Sequence, residues 1–238
     1  MKYKLIIQRQ KSKTDKPYIQ SFFVEADTDN TTVAAVLSML NSQDELYDSE
    51  GKRCDKIRWE CSCLQKKCGA CAMVINGRPC LACDARLINL GSEITIQPLK
   101  KFPVIADLMI DRGILYENLK EINAWLTDEA YADEKRNDIL YEASRCLQCG
   151  CCLEICPNFY TEGDFFGMAA MVPSARILDE LNDKKKTALK KEYSKHIYNG
   201  CGKSLACRDI CPAGINIEKL LVNSNTIAVW KSLFLRNK

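Results

Sequence analysis

The sequence predicts an α+β protein in two parts, strands first and helices after. Three observations carry this. Apolar residues recur with period two in the first hundred residues and with helical spacing beyond them. The fifteen cysteines fall into two groups, seven from Cys54 to Cys83 and eight from Cys146 to Cys211. Between the groups, Gln97-Pro-Leu-Lys-Lys-Phe-Pro103 interrupts regular structure and reads as a linker. The expected domains are therefore 1–103 and 104–238.

In the first part, Tyr3–Arg9 and Tyr18–Ala26 are rich in β-branched and aromatic residues and read as strands. Thr31–Leu40 reads as a short helix opened by Asp29 and Asn30. Ala72–Ile75 is a strand running into Asn76-Gly77, a strong signal for a two-residue type I′ hairpin turn. Glu93–Gln97 is a closing strand. In the second part, Val104–Met109, Leu115–Leu126, Glu134–Ser144, Ser174–Leu181 and Glu218–Leu235 read as helices joined by Cys-rich loops. The stretch Ile217–Leu235, apolar with basic flanks, is expected to pack on its own domain. The Lys184–Lys186 run and Lys190-Lys191 read as a solvated helical face.

Composition narrows the chemistry. Lys and Arg total 34 against 31 Asp and Glu, a formal net charge of +3, so nothing global points to nucleic acid. Fifteen cysteines in 238 residues, about 6%, fall below the roughly 8–10% of small disulfide scaffolds, and an odd number cannot pair fully within one chain. The single histidine, His196, excludes two-Cys, two-His zinc sites and Rieske centres. All-thiolate metal chemistry remains. The N-terminus offers only Leu5-Ile6-Ile7 before charge resumes, too short for a signal-peptide core. The longest apolar runs, such as Phe165 to Val172, fall far short of the roughly 18 residues of a spanning helix. The expectation is a cytoplasmic protein whose thiols bind metal rather than each other.

Cys63-Leu-Gln-Lys-Lys-Cys68-Gly-Ala-Cys71 has the C-x4-C-x2-C spacing of plant-type 2Fe-2S sites. Gly69 suits a backbone that must come close to the sulfurs. Cys80 and Cys83 compete as fourth ligand. Pairing across Asn76-Gly77 sets Ile75 opposite Arg78; continued outward, it puts Cys83 beside the ligand loop and Cys80 opposite Met73, further along the strand. Cys83 is thus the expected ligand, and Cys54, Cys61 and Cys80 are packed or partly exposed thiols. A zinc ribbon is the weaker alternative, because it prefers two separated C-x2-C knuckles.

Cys146-Leu-Gln-Cys149-Gly-Cys151-Cys152-Leu-Glu-Ile-Cys156-Pro157 contains C-x2-C-x2-C-x3-C-P. In two-cluster ferredoxins the first three cysteines of such a run hold one cluster and the fourth ligates the other. The complementary run is Cys201-Gly-Lys-Ser204-Leu-Ala-Cys207-Arg-Asp-Ile-Cys211-Pro212, with serine where a ligand is due. Register therefore assigns Cys146, Cys149, Cys152 and Cys211 to a 4Fe-4S cluster. Cys156, Cys201 and Cys207 remain for the third site, and three thiolates suit a 3Fe-4S centre; the alternative is a 4Fe-4S cluster with Ser204 or water on its fourth iron. Cys151 is read as a packed thiol. Loss of one iron alters cluster charge, so the third cluster is expected at the higher potential.

Neither a nucleophile–base constellation nor a Gly-rich nucleotide fingerprint competes with the cysteines, and His196 reads as a surface helix residue. No residue of the chain is assigned as catalytic; the chain carries electrons.

Over nearly its whole length the sequence resembles the iron–sulfur subunit of succinate dehydrogenase and fumarate reductase. The resemblance rests on Cys63-x4-Cys68-Gly-Ala-Cys71-Ala-Met, Ile75-Asn-Gly-Arg-Pro, Leu81-Ala-Cys83, Gln97-Pro-Leu-Lys-Lys-Phe-Pro-Val-Ile-Ala-Asp-Leu, and the runs ending in Cys156-Pro and Cys211-Pro. It implies an N-terminal β-grasp domain, a C-terminal helical ferredoxin domain, a flavoprotein partner with covalent FAD, and a membrane anchor that binds quinone and can hold haem. It places the chain peripherally on the cytoplasmic side of the membrane. Where ubiquinone-using members carry a Trp pair and a His, this chain has Tyr160-Thr161 and Gly202, which points to menaquinone. Leu64 stands where many members have Arg, which bears on the 2Fe-2S potential. The alternative is a subunit of another flavoprotein, of the thiol-linked fumarate reductase type, with a soluble acceptor.

Overall fold

Strand β1 (Lys2–Arg9) buries every second residue, Tyr3, Leu5, Ile7 and Arg9, so one of its faces is committed to a core. The structure, a computed structural model, describes residues 1–26, 30–127, 129, 137–180 and 186–231. They fall into two units, Met1–Asp111 and Arg112–Lys238.

In the first unit β1 pairs antiparallel with β2 (Tyr18–Glu25), setting Leu5 opposite Phe22. Helix α1 (Val33–Ser42) follows, its buried face formed by Val33, Val36, Leu37 and Leu40. Its cap is Thr32, whose Oγ accepts from the Ala35 N–H at 3.2 Å, rather than Asn30; Asp29 lies outside the described residues. A short pair, β3 (Leu46–Tyr47) with β4 (Arg53–Cys54), precedes the cysteine loop. After that loop, β5 (Ala72–Ile75) and β6 (Arg78–Leu81) form the expected hairpin: Ile75 faces Arg78 and Met73 faces Cys80. Asn76 and Gly77 both have positive φ, 48° and 76°, as a type I′ turn requires. Strand β7 (Glu93–Gln97) then inserts between β1, to which it is parallel, and β5, to which it is antiparallel. The result is a mixed sheet ordered β2-β1-β7-β5-β6, the β-grasp arrangement.

One expected helix is not there. Val104–Met109 forms instead a tight pair, β8 (Val104–Ala106) with β9 (Met109–Ile110). Asp107 between them takes φ 48°, which ends any helix. Its buried carboxylate accepts from the Gln10 N–H at 2.9 Å, the Arg58 N–H at 2.9 Å and Arg9 Nη2 at 3.1 Å. These partners lie far away in sequence, and they override local propensity.

The second unit is helical: α2 (Gly113–Glu121), α3 (Asn137–Ser144), α4 (Cys151–Glu154), α5 (Gly167–Glu180), α6 (Thr187–Tyr193), α7 (Ala206–Ile210) and α8 (Ile217–Asn225). Wide π turns, Ser194–Tyr198 and Thr226–Trp230, extend α6 and α8. Helix α5 is the hub, packing on α2, α3, α4, α6 and α8. It begins seven residues before the expected Ser174, so Pro173 lies inside it. Helix α8 buries Ile217, Leu220 and Leu221, in keeping with a helix packed on its own domain. The expected helix over Glu134–Ser144 is described from Asn137 onward, and the expectation for Glu218–Leu235 ends outside the described residues. Among these residues no helix is long and apolar enough to cross a membrane.

Candidate metal centres

The loop from Cys63 to Cys71 is folded so that its amides aim at sulfur. Leu64, Lys66 and Gly69 all take positive φ, turning successive N–H groups to the inside. The N–H groups of Gln65 and Lys67 donate to Cys63 Sγ, each at 3.3 Å, and the N–H of Lys66 donates to Cys83 Sγ, also at 3.3 Å. These amide bonds, from Gln65 first and then Lys67, pull the Cys63 thiol down to about 7. Cys71 lies against Cys83 and Cys68, and burial pushes its thiol up to about 12. Cys63, Cys68, Cys71 and Cys83 thus share one place. Cys80 does not join them: it sits in β6, its charged neighbours being Arg78 and Asp84, and burial pushes it up to about 11.

Cys146, Cys149, Cys152 and Cys211 line a single cavity of the second unit, about 400 Å³ of atom-free space including its mouth. Leu147, Met168, Val172, Ile215 and Ile217 make the rest of the wall apolar. Burial raises Cys146 to about 11 and Cys152 well above the ordinary thiol range. Cys149 goes the other way, to about 7, first because the Cys151 side chain hydrogen-bonds to it. Cys151 itself is fully buried, as a packed thiol should be. A third group joins Cys207 to Cys156 and Cys201, whose charges it feels; burial, the larger effect, lifts Cys207 to about 11. Ser204 is exposed. The last cysteine of each run has therefore crossed over: Cys211 stands with the first run and Cys156 with the second.

The donor sets fit iron–sulfur clusters. They are thiols, gathered in fours and a three, with inward amides at one site and an apolar wall at another. Among the described residues no three His, Cys, Asp or Glu side chains converge on one ion-sized position, and a cluster does not ask for that. Two of the spare cysteines stand apart: Cys54 donates to the Leu46 carbonyl at 3.5 Å, and Cys61 is exposed.

Two side chains differ from expectation. His196 is not on the surface but 1% exposed. Its ring stacks on Phe166 with centroids 4.1 Å apart, and its Nδ1 lies 2.7 Å from the Asp164 carbonyl. Its Nε2 faces Glu121 Oε1 at 3.2 Å and Glu192 Oε2 at 3.6 Å. The π turn that carries it rolls the ring inward, which no helical periodicity reveals. Lys186 is likewise buried, its Nζ donating to the Leu178 carbonyl at 3.0 Å; Lys184 lies outside the described residues. Sequence reasoning also missed Gln148 and Asn158. The first donates to Cys146 Sγ at 3.2 Å, the second to the Gly200 carbonyl at 2.7 Å. Only their polarity within Cys-rich loops could have flagged them.

Comparisons with known proteins agree with this layout. The 2Fe-2S iron-sulfur cluster binding domain family matches residues 4–117, and the 4Fe-4S dicluster domain family matches residues 142–215. The chain is 32% identical to the succinate dehydrogenase iron-sulfur subunit of Bacillus subtilis, over 93% of this chain and 90% of that one. It is 28% identical to the fumarate reductase iron-sulfur subunit of Wolinella succinogenes, over 87% and 88%. In fold it is similar to a chain of the Mycobacterium smegmatis Sdh1 complex in the apo form, with a TM-score of 0.75 over 97% of both chains at 23% identity.

Proposed function

The chain belongs to the family of iron–sulfur subunits of succinate dehydrogenase and fumarate reductase, whose role is electron transfer, and on that premise we propose how its own residues form the wire. Cys63, Cys68, Cys71 and Cys83 hold a 2Fe-2S cluster. Cys146, Cys149, Cys152 and Cys211 hold a 4Fe-4S cluster, and Cys156, Cys201 and Cys207 a 3Fe-4S cluster. When bound, these groups supply one-electron chemistry that no side chain of the protein offers. The protein's part is to fix the thiolates, supply amide donors and exclude water. The observation that carries the reading is the shared cavity: four cysteines from two separated runs, Cys211 among them, line one space.

The wire runs between the FAD of a flavoprotein partner and a quinone held by a membrane anchor, with this chain peripheral on the cytoplasmic side. Menaquinone is the favoured quinone. Gly202 and Tyr160-Thr161 support this, standing where ubiquinone-using members of the family carry a His and a Trp pair. Tyr160, in the place of a Trp, is 64% exposed.

Iron and acid-labile sulfide analysis with EPR of the anaerobically purified protein tests the assignment. The expected result is the iron and sulfide content of all three clusters, with a 3Fe-4S signal in the oxidised state. Bound zinc without sulfide overturns it. For the quinone, turnover of the intact complex with menaquinone and ubiquinone analogues should favour the former; equal or better use of ubiquinone counts against that assignment.

A further inference from the structure

Gln148 lies between two proposed ligands of the 4Fe-4S cluster and is the polar side chain other than cysteine among the described residues lining that cavity. Its Nε2 is 3.2 Å from Cys146 Sγ and 2.9 Å from the carbonyl oxygen of Ala169 in α5. A primary amide carries two N–H groups, so both bonds form at once. The Ala169 carbonyl is open to this because of the helix it belongs to. In an α-helix that oxygen accepts from the N–H four residues on, which here is Pro173, and proline has none. A proline inside α5 therefore leaves a carbonyl free at the edge of the cavity, and the Gln148 amide takes it up.

From this geometry we propose that Gln148 sets the reduction potential of the 4Fe-4S cluster, raising it by donating an N–H to the Cys146 sulfur from a position held by the carbonyl that Pro173 leaves open. The inference rests on the ligand assignment above. Gain of one electron adds negative charge that is shared with the thiolate sulfurs; no covalent bond changes and no proton moves. The electron is supplied by a one-electron reductant and passed on to a one-electron acceptor. An N–H donor binds the more negative sulfur more strongly, so it favours the reduced form. The apolar wall strengthens the effect by lowering the local dielectric. Because Ala169 fixes the amide, little side-chain freedom is lost when the bond to sulfur tightens.

The test is an EPR-monitored redox titration of the holoprotein carrying Q148L, Q148E or P173A. One hydrogen bond corresponds to a shift of roughly three- to tenfold in the one-electron redox equilibrium, or about 30–60 mV at 59 mV per decade. Q148L should lower the 4Fe-4S potential by that much and leave the 2Fe-2S potential unchanged. Q148E, which replaces the donor with a carboxylate, should lower it at least as far. P173A restores an N–H that competes for the Ala169 carbonyl, and should give a smaller shift of the same sign. Unchanged 4Fe-4S potentials in both Gln148 variants overturn the proposal. A second arm needs no substitution: unaltered protein labelled with side-chain nitrogen-15 glutamine should show a nitrogen coupling to the reduced 4Fe-4S cluster in pulsed EPR, and its absence overturns the proposal too. An unaltered protein with no 4Fe-4S signal instead overturns the ligand assignment, and this inference with it.

Discussion

Cys80 and Ser204 show what single side chains contribute. The Cys80 thiol is held up at about 11 by burial, against a reference value of 9.0. A thiol that ionises later in the folded state than in the unfolded one contributes stability below the unfolded value. That contribution declines as pH rises through 9.0 and is gone above about 11. Alkaline unfolding curves of Cys80→Ala should therefore be flatter than those of the unaltered protein between those limits. Cys80 should also resist alkylation at pH 8 while exposed Cys61 reacts, as mass spectrometry of the labelled peptides would show. Ser204 stands where a thiolate would complete the third set. Ser204→Cys should convert most of the 3Fe-4S signal of the oxidised protein to a 4Fe-4S cluster and raise the iron content; an undiminished 3Fe-4S signal would mean that position 204 does not reach the site. The grouping of the cysteines was legible at this scale because spacing within each run is a local property. His196 was not, because its burial depends on a π turn and on Phe166, thirty residues earlier in the chain.

Among the elements, the β8–β9 pair was hidden and the β5–β6 hairpin was open to view, and the contrast has a physical cause. Asn76-Gly77 encodes its own turn through two positive φ angles, so the register follows without any distant partner. The β8–β9 turn is encoded by Asp107, and the groups that stabilise that carboxylate come from Arg9 in β1, from Gln10 just after it and from Arg58. Removing it leaves Arg9, 2% exposed, without its anionic partner, although Gln20 Oε1 at 2.7 Å and the carbonyls of Asp55 and Lys56 remain. Asp107→Ala should cost about 3–5 kcal/mol in urea unfolding. Asp107→Asn, which tolerates the same backbone angle, should cost less. Equal losses from the two variants would show that the lost charge, not backbone strain, dominates. The start of α5 was missed for a related reason: Pro173 reads as a helix boundary, yet burial of Met168, Ala169 and Met171 holds the helix together through it.

At the level of the whole molecule, the two units differ in what holds them. The first has a mixed sheet and a helix that bury Leu5, Ile7, Phe22, Leu37 and Ile94 around a core of their own. The second has an apolar core around α5, with Met171, Leu178, Leu189 and Leu220, and in addition short pieces, four residues in α4 and five in α7, gathered around cysteine groups. Iron chelation should therefore lower the helical circular dichroism while leaving strand signal behind. Retention of the full helical signal after complete iron loss would show that the second unit is held by its apolar contacts alone. The division into a strand-rich and a helical half was legible because hydrophobic periodicity survives in any single sequence. The unit observed in the structure runs on to Asp111, since the segment after Pro103 is tied to it by Asp107 and by the Leu108 N–H, which donates to the Arg58 carbonyl at 3.0 Å, partners distant in sequence.

The crossing of Cys156 and Cys211 between the two sites also has a consequence in time. Neither site can close until the chain has emerged past both runs, so a ribosome that has made only the first two-thirds of this protein holds an incomplete pair of sites. The order of the chain thus ties completion of both cysteine groups to the synthesis of the second run.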